Sequence, residues 1–129
     1  MKRKVLIIED KYSEVKGSFD FANSAFYGGE IEFENVIKSN DVPYTSLVSY
    51  DCIFVDLQLA NKSALDGYGI IKKIKNQFNY ALEKVVILTG HTKVVDKLKA
   101  EGLDPSVLSI VIKPISFEDV KKILDSKFK

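Results

Sequence analysis

Four short apolar runs punctuate the chain: Val5–Ile8, Cys52–Val55, Val85–Leu88 and Val107–Ile112. They are rich in Val and Ile and barely alternate with polar residues. Strands buried on both faces read this way, as in a parallel sheet covered by helices. A fifth segment, Glu30–Ser39, alternates acidic and apolar residues in its first half, which suits a half-exposed edge strand.

Between the runs the apolar spacing becomes helical. "DKYSEVKGSFDFANSAFYGG" places Val15, Phe19, Ala22 and Phe26 on one stripe and ends at Gly28-Gly29, a helix stop. "YTSLVSY", after Pro43, is at best a short helix. "LDGYGIIKKIKNQF" sets Ile71, Ile74 and Phe78 on a stripe opposite Lys72, Lys73 and Lys75. "TKVVDKLKAEG" groups Val94, Val95 and Leu98 and closes at Gly102. "SFEDVKKILDSKF" opens with Ser116 as N-cap and Asp119 three residues on, with Val120, Ile123, Leu124 and Phe128 as its stripe. The order is a strand–helix unit repeated five times. It predicts an α/β fold with a parallel sheet, right-handed crossovers and helices on both faces.

Composition narrows the picture. With 129 residues, one domain is expected. The 19 basic and 18 acidic residues nearly cancel, which argues against a partner held by bulk charge, nucleic acid included. Cys52 is the one cysteine, so no internal disulfide forms, and its apolar run makes it a small core residue. No apolar run is long enough to span a bilayer. The basic start "MKRK" is followed by only four apolar residues and then acids, so it is not a secretory signal. A reducing, cytoplasmic setting is the expectation.

Ligands of open parallel sheets bind beyond the carboxyl ends of the strands. There the sequence places Glu9 and Asp10, then Asp56, Thr89 and Lys113. Taken singly, each has an ordinary reading as a solvated loop residue or a helix cap. Asp56 is the exception, because it follows "CIFV" deep in an apolar run, where a carboxylate is costly unless paired. Together, clustered carboxylates suit Mg²⁺ or Mn²⁺. An acid, a hydroxyl and an ammonium around one metal suit phosphoryl transfer to a carboxylate, with Asp56 as nucleophile.

This set resembles the receiver domain of two-component response regulators across essentially the whole chain. The resemblance rests on the pair Glu9-Asp10, on Asp56, on Thr89-Gly90, on Lys113-Pro114 with a cis proline, and on the Asp-Gly turn opening "DGYGIIKKI". It implies a flavodoxin-like, doubly wound sandwich with strand order 2-1-3-4-5. It also implies that Asp56 is the phosphoacceptor. Asp10, Asp56 and the backbone carbonyl of Gln58 would ligate Mg²⁺, with Glu9 acting through water. Thr89 and Lys113 would hold the phosphoryl group, and Gln58 and His91 would tune its loss. The implied donor is a sensor histidine kinase or a histidine phosphotransfer domain. The implied readout is a surface of the helix over 92–102, the fifth strand and the last helix, which engages a downstream protein or output domain or forms a homodimer on phosphorylation. Residues 1–129 are expected to be a single receiver domain without an output domain, with no direct contact to nucleic acid or membrane.

The chain departs from that pattern in three places. The switch position three residues before the lysine, aromatic in the family, is Ile110. The loop "LQLANKSALDG" after Asp56 is about three residues longer than usual and has Ala60 near the usual proline. The segment "LDPSVLSIVI" is also longer. The alternative is a receiver-like interaction module that signals without phosphorylation. A haloacid-dehalogenase-type phosphatase is disfavoured, because that family needs a second Asp where Gln58 stands. Flavin and dinucleotide sites are disfavoured by the acidic "EDKYSE" after the first strand and by the lack of a Gly-x-Gly-x-x-Gly run.

Overall fold

The computed structural model describes residues 2–59, 63–90 and 92–128. Five parallel strands form one sheet: β1 Arg3–Ile8, β2 Ile31–Val36, β3 Cys52–Asp56, β4 Val85–Thr89 and β5 Ser109–Ile112. Their order is β2-β1-β3-β4-β5, as expected. Four helices accompany them: α1 Tyr12–Phe26, α2 Gly67–Asn76, α3 Val94–Ala100 and α4 Phe117–Lys127. Among the described residues no helix is long and apolar enough to cross a membrane.

The unbroken apolar runs are explained by the two cores they feed. Alternate residues of β1, β3 and β4 point to opposite faces. Leu6, Ile8, Ile53, Val55 and Ile87 meet Ile70, Ile71 and Ile74 of α2 and Leu98 of α3. Val5, Ile7, Phe54, Val86 and Leu88 meet Phe19 of α1 and Val120 and Leu124 of α4. Phe19 lies edge-on to both Phe33 and Phe54, at ring-centroid distances of 5.4 and 4.9 Å. Cys52 is fully buried there.

Element boundaries follow local chemistry. Ser116 accepts from the Asp119 amide and Asp119 from the Ser116 amide, so α4 opens with a complete capping box. Asp66 caps α2 by accepting from Gly69. Gly28 and Gly29 end the α1 connection with φ of +63° and +74°, backbone that glycine adopts without strain.

Several expectations are corrected. The segment between β2 and β3 holds no α-helix; it forms 3₁₀ turns at Ser39–Asp41 and Tyr44–Ser49, the second broken by non-helical backbone at Ser46. Short i→i+3 turns are what a six-residue stretch after Pro43 can support. The fifth strand starts at Ser109, because Pro105 opens a 3₁₀ turn through Val107. Phe26 and Val95, assigned to buried stripes, are 42% and 41% exposed. Phe78 falls beyond α2 and stacks on Tyr44 at 5.3 Å.

Candidate functional site

Strand order reverses at β1: the chain leaves it for β2 on one side and later returns to β3 on the other. Such a switch point opens a crevice at the carboxyl ends of the two strands. Glu9 and Asp10 follow β1, and Asp56 is the last residue of β3. One carboxylate oxygen from each of the three lies within 4.8 Å of the others. Asn35 of β2 braces this exit, its amide donating to the carbonyls of Ile7 at 2.9 Å and Glu9 at 3.0 Å.

Lys113 comes from the far side of the sheet. Its backbone N–H donates to the Thr89 carbonyl at 2.7 Å, and its peptide bond to Pro114 is cis. Its ammonium reaches Glu9 Oε1 at 2.8 Å and Asp56 Oδ2 at 3.4 Å. Asp56 Oδ1 accepts from the Gln58 amide at 3.0 Å. Thr89 is buried at the end of β4 and lines, with Gln58, a cleft of about 450 Å³ beside the acids. Ile110 lies in β5, half-buried, with its side chain packed against the core that α2 and α3 share. His91 and Ala60 lie outside the described residues.

Glu9 is fully buried, and its Oε2 has no hydrogen-bond partner among the described residues. Burial, followed by its contact with the Asp56 carboxylate, pushes its pKa up to about 8; Lys113 pulls the other way. Burial lowers the Lys113 pKa, but the Glu9 and Asp56 carboxylates outweigh it and hold the ammonium above its ordinary value. A hard divalent cation suits this arrangement. It offers charge to three clustered acids, two of which share the Lys113 ammonium, and it takes oxygen donors of the kind Glu9 leaves unmet. The residues present fit Mg²⁺ or Mn²⁺.

Sequence reasoning did not foresee that Lys113 sits closer to Glu9 than to Asp56, nor the part played by Gly67. A Cβ there would lie 2.4 Å from the Asp56 carbonyl oxygen. The Asp66-Gly67 pair was the only available signal.

No protein-family model matches the sequence, and no curated protein does. Solved structures do match. The signal receiver domain of the DNA binding response regulator protein merR from Colwellia psychrerythraea 34H gives a TM-score of 0.70 at 22% identity, over 97% of each chain. This is the receiver-domain fold. The receiver domain of NtrX from Brucella abortus gives 0.66 at 17% identity, over 95% of this chain and 96% of that one. A sensor protein from Polaromonas sp. JS666 gives 0.70 at 16% identity, over 98% and 96%. These likenesses extend the receiver fold over nearly the whole chain.

Proposed function

We propose that this chain is a phosphoacceptor receiver, in which Asp56 takes a phosphoryl group from the phosphohistidine of a partner kinase or phosphotransfer protein. The observation that carries the reading is the buried Asp56 carboxylate, flanked by two further acids and by Lys113 at the switch point of the sheet. Asp56 attacks phosphorus as the bond from phosphorus to the donor imidazole breaks. Lys113 moves from Glu9 toward the phosphoryl oxygens, and the Thr89 hydroxyl donates to them. Asp10, Asp56 and the Gln58 carbonyl would hold Mg²⁺, with Glu9 acting through water, and the bound ion would supply positive charge for the phosphoryl oxygens. The chain is then a signalling domain that catalyses only its own modification, read by a downstream protein. Residues 1–129 are proposed to be that one domain.

Incubation with acetyl phosphate and Mg²⁺, followed by intact mass measurement, tests this. One phosphoryl adduct should form on the wild type and none on Asp56→Asn. An unmodified wild type, or equal labelling of both, removes the proposal.

Ile110 supports a second reading, a receiver-like module that signals without phosphate. That reading expects Mg²⁺ and beryllofluoride to leave NMR shifts unchanged beyond the acids themselves.

The metal also has a pH signature. Below a pKa of about 8, Glu9 carries a proton in the metal-free protein, and that proton competes with the ion. Apparent Mg²⁺ affinity should therefore rise between pH 6 and pH 8.5, with proton release on binding, as calorimetry in buffers of different ionisation enthalpy would show. At a hundred times Kd, Mg²⁺ should add about 2.7 kcal/mol of stability. A melting temperature unchanged by saturating Mg²⁺ would mean that the acids do not form a metal site.

A further inference from the structure

The ladders on both sides of β1 stop at Ile8, which is in register with Val36 of β2 and Val55 of β3. The chain then passes through Glu9, Asp10 and Lys11 before α1 begins, and α1 opens without a side-chain cap. A sheet exit that has left its ladder and enters an uncapped helix has few fixings, yet this one carries two acids of the site. The Glu9 carboxylate is held by Lys113 at 2.8 Å. The Asp10 carboxylate makes no hydrogen bond among the described residues, so its place depends on the backbone that carries it.

The edge strand β2 holds that backbone. The Glu9 amide donates to the Val36 carbonyl at 3.0 Å. A parallel ladder would next offer the Glu9 carbonyl a backbone amide, but β2 has ended at Val36. The Asn35 side chain takes that part. Its amide donates to the Glu9 carbonyl at 3.0 Å, to the Ile7 carbonyl at 2.9 Å and to the Val36 carbonyl at 3.2 Å. Two of these acceptors belong to β1 and its exit, one on either side of Ile8. Asparagine is a poor strand former, and Asn35 is exposed, so neither propensity nor burial accounts for it here.

We infer that Asn35 is a positioning residue for the metal: through the Glu9 carbonyl it fixes the Glu9–Asp10 peptide, and so sets the Asp10 carboxylate against Glu9 and Asp56. The inference rests on the phosphoacceptor reading and adds to it a residue of the edge strand that touches neither metal nor phosphoryl group. Hydrogen bonds behind a ligand fix its direction, and their loss typically lowers metal affinity by about tenfold or more. Without Asn35, water at the exposed edge can satisfy the Glu9 carbonyl, but water does not fix its direction. Folding is then little affected while the carboxylates lose their common focus.

The same bonds could serve only to pin β2 to the sheet, and Asn23 of α1 supplies the comparison. At the opposite end of β2 it donates to the Ile31 carbonyl at 2.9 Å and accepts from the Ile31 amide at 3.0 Å. Calorimetric titration of the full chain with Mg²⁺ separates the two roles. Asn35→Leu should weaken Mg²⁺ binding by roughly tenfold. It should raise the Mg²⁺ concentration for half-maximal labelling by acetyl phosphate to match, with the rate at saturating Mg²⁺ unchanged. Asn35→Gln, which keeps an amide donor on an exposed edge, should recover most of the affinity. Asn23→Ala should lower the melting temperature and leave the Mg²⁺ Kd at its wild-type value. A wild-type Kd in Asn35→Leu, an equal loss in Asn23→Ala, or a loss that Asn35→Gln shares in full would overturn the inference while leaving the phosphoacceptor reading intact. A wild type that neither binds Mg²⁺ nor takes up a phosphoryl group would remove both.

Discussion

Gly67→Ala should lower the melting temperature by roughly 6–12 °C, reflecting a loss of about 2 kcal/mol or more. The added Cβ would lie 2.4 Å from the Asp56 carbonyl oxygen, 2.5 Å from Leu57 Cα and 2.9 Å from the Asp56 carbonyl carbon. All three are backbone atoms, so no side chain can turn aside to relieve the clash. The Gly67 amide donates to the Leu57 carbonyl at 3.2 Å, which holds the first turn of α2 against the exit of β3. Alanine gains at most about 1 kcal/mol of helix propensity over glycine, so the steric term wins. Relief must come from moving α2 or the Asp56–Gln58 backbone. Mg²⁺ affinity should therefore fall together with stability. Gly17→Ala is the control: Gly17 is exposed within α1, and nothing lies within 4 Å of the added Cβ. It should raise the melting temperature, by up to about 1 kcal/mol of stability. Thermal unfolding of the two variants with and without Mg²⁺ decides the matter. A Gly67→Ala protein as stable as the wild type would mean that α2 does not frame the site.

The sheet was legible because β1, β3 and β4 are buried on both faces, and such strands leave unbroken apolar runs. The acids at their ends were legible for the same reason: a carboxylate that closes a run like "CIFV" has few bland explanations. The stripes of α1 and α3 were only partly legible. Periodicity marks one side of a helix, but how fully neighbours cover its end turns is a tertiary fact, and Phe26 in the last turn of α1 and Val95 in the first turn of α3 are only partly covered. The connection between β2 and β3 was the weakest reading, because seven residues after a proline carry too little periodicity to separate a helix from 3₁₀ turns. The hydrogen bonds that tie Ser39 and Asn40 to Ser63, Ala64 and Leu65 were invisible: the partners are 24 to 26 residues apart, and serine and asparagine in loops ordinarily mean solvent. The preference of Lys113 for Glu9 was equally hidden, since it depends on about half an ångström between two acids that the sequence places on the same rim.

Lys113→Met should cost about 3 kcal/mol of metal-free stability at pH 8.5, because breaking a buried ion pair leaves its partner charges uncompensated. Two carboxylates depend on this ammonium, and both are almost wholly buried. The loss should shrink as the pH falls. Glu9 already has its pKa pushed up to about 8 by burial and by Asp56, with Lys113 opposing the rise. Removing Lys113 raises it further, so at pH 5.5 Glu9 is protonated in the folded variant and its charge no longer needs a partner. Between the ordinary carboxylate range and pH 8 the folded state binds more protons than the unfolded one. The stabilisation from that uptake is complete at low pH and disappears as pH rises through the folded pKa, which is where the variant should weaken most steeply. Lys113 itself titrates above this window, since its pKa is raised. Saturating Mg²⁺ at pH 8.5 should close most of the gap, because a cation among Glu9, Asp10 and Asp56 takes over the charge the lysine supplied. Urea unfolding at both pH values, with and without Mg²⁺, measures all four terms of the comparison. A loss that is the same at pH 5.5 and pH 8.5 would mean that Lys113 stabilises the fold through its packing rather than through the charge of the acids.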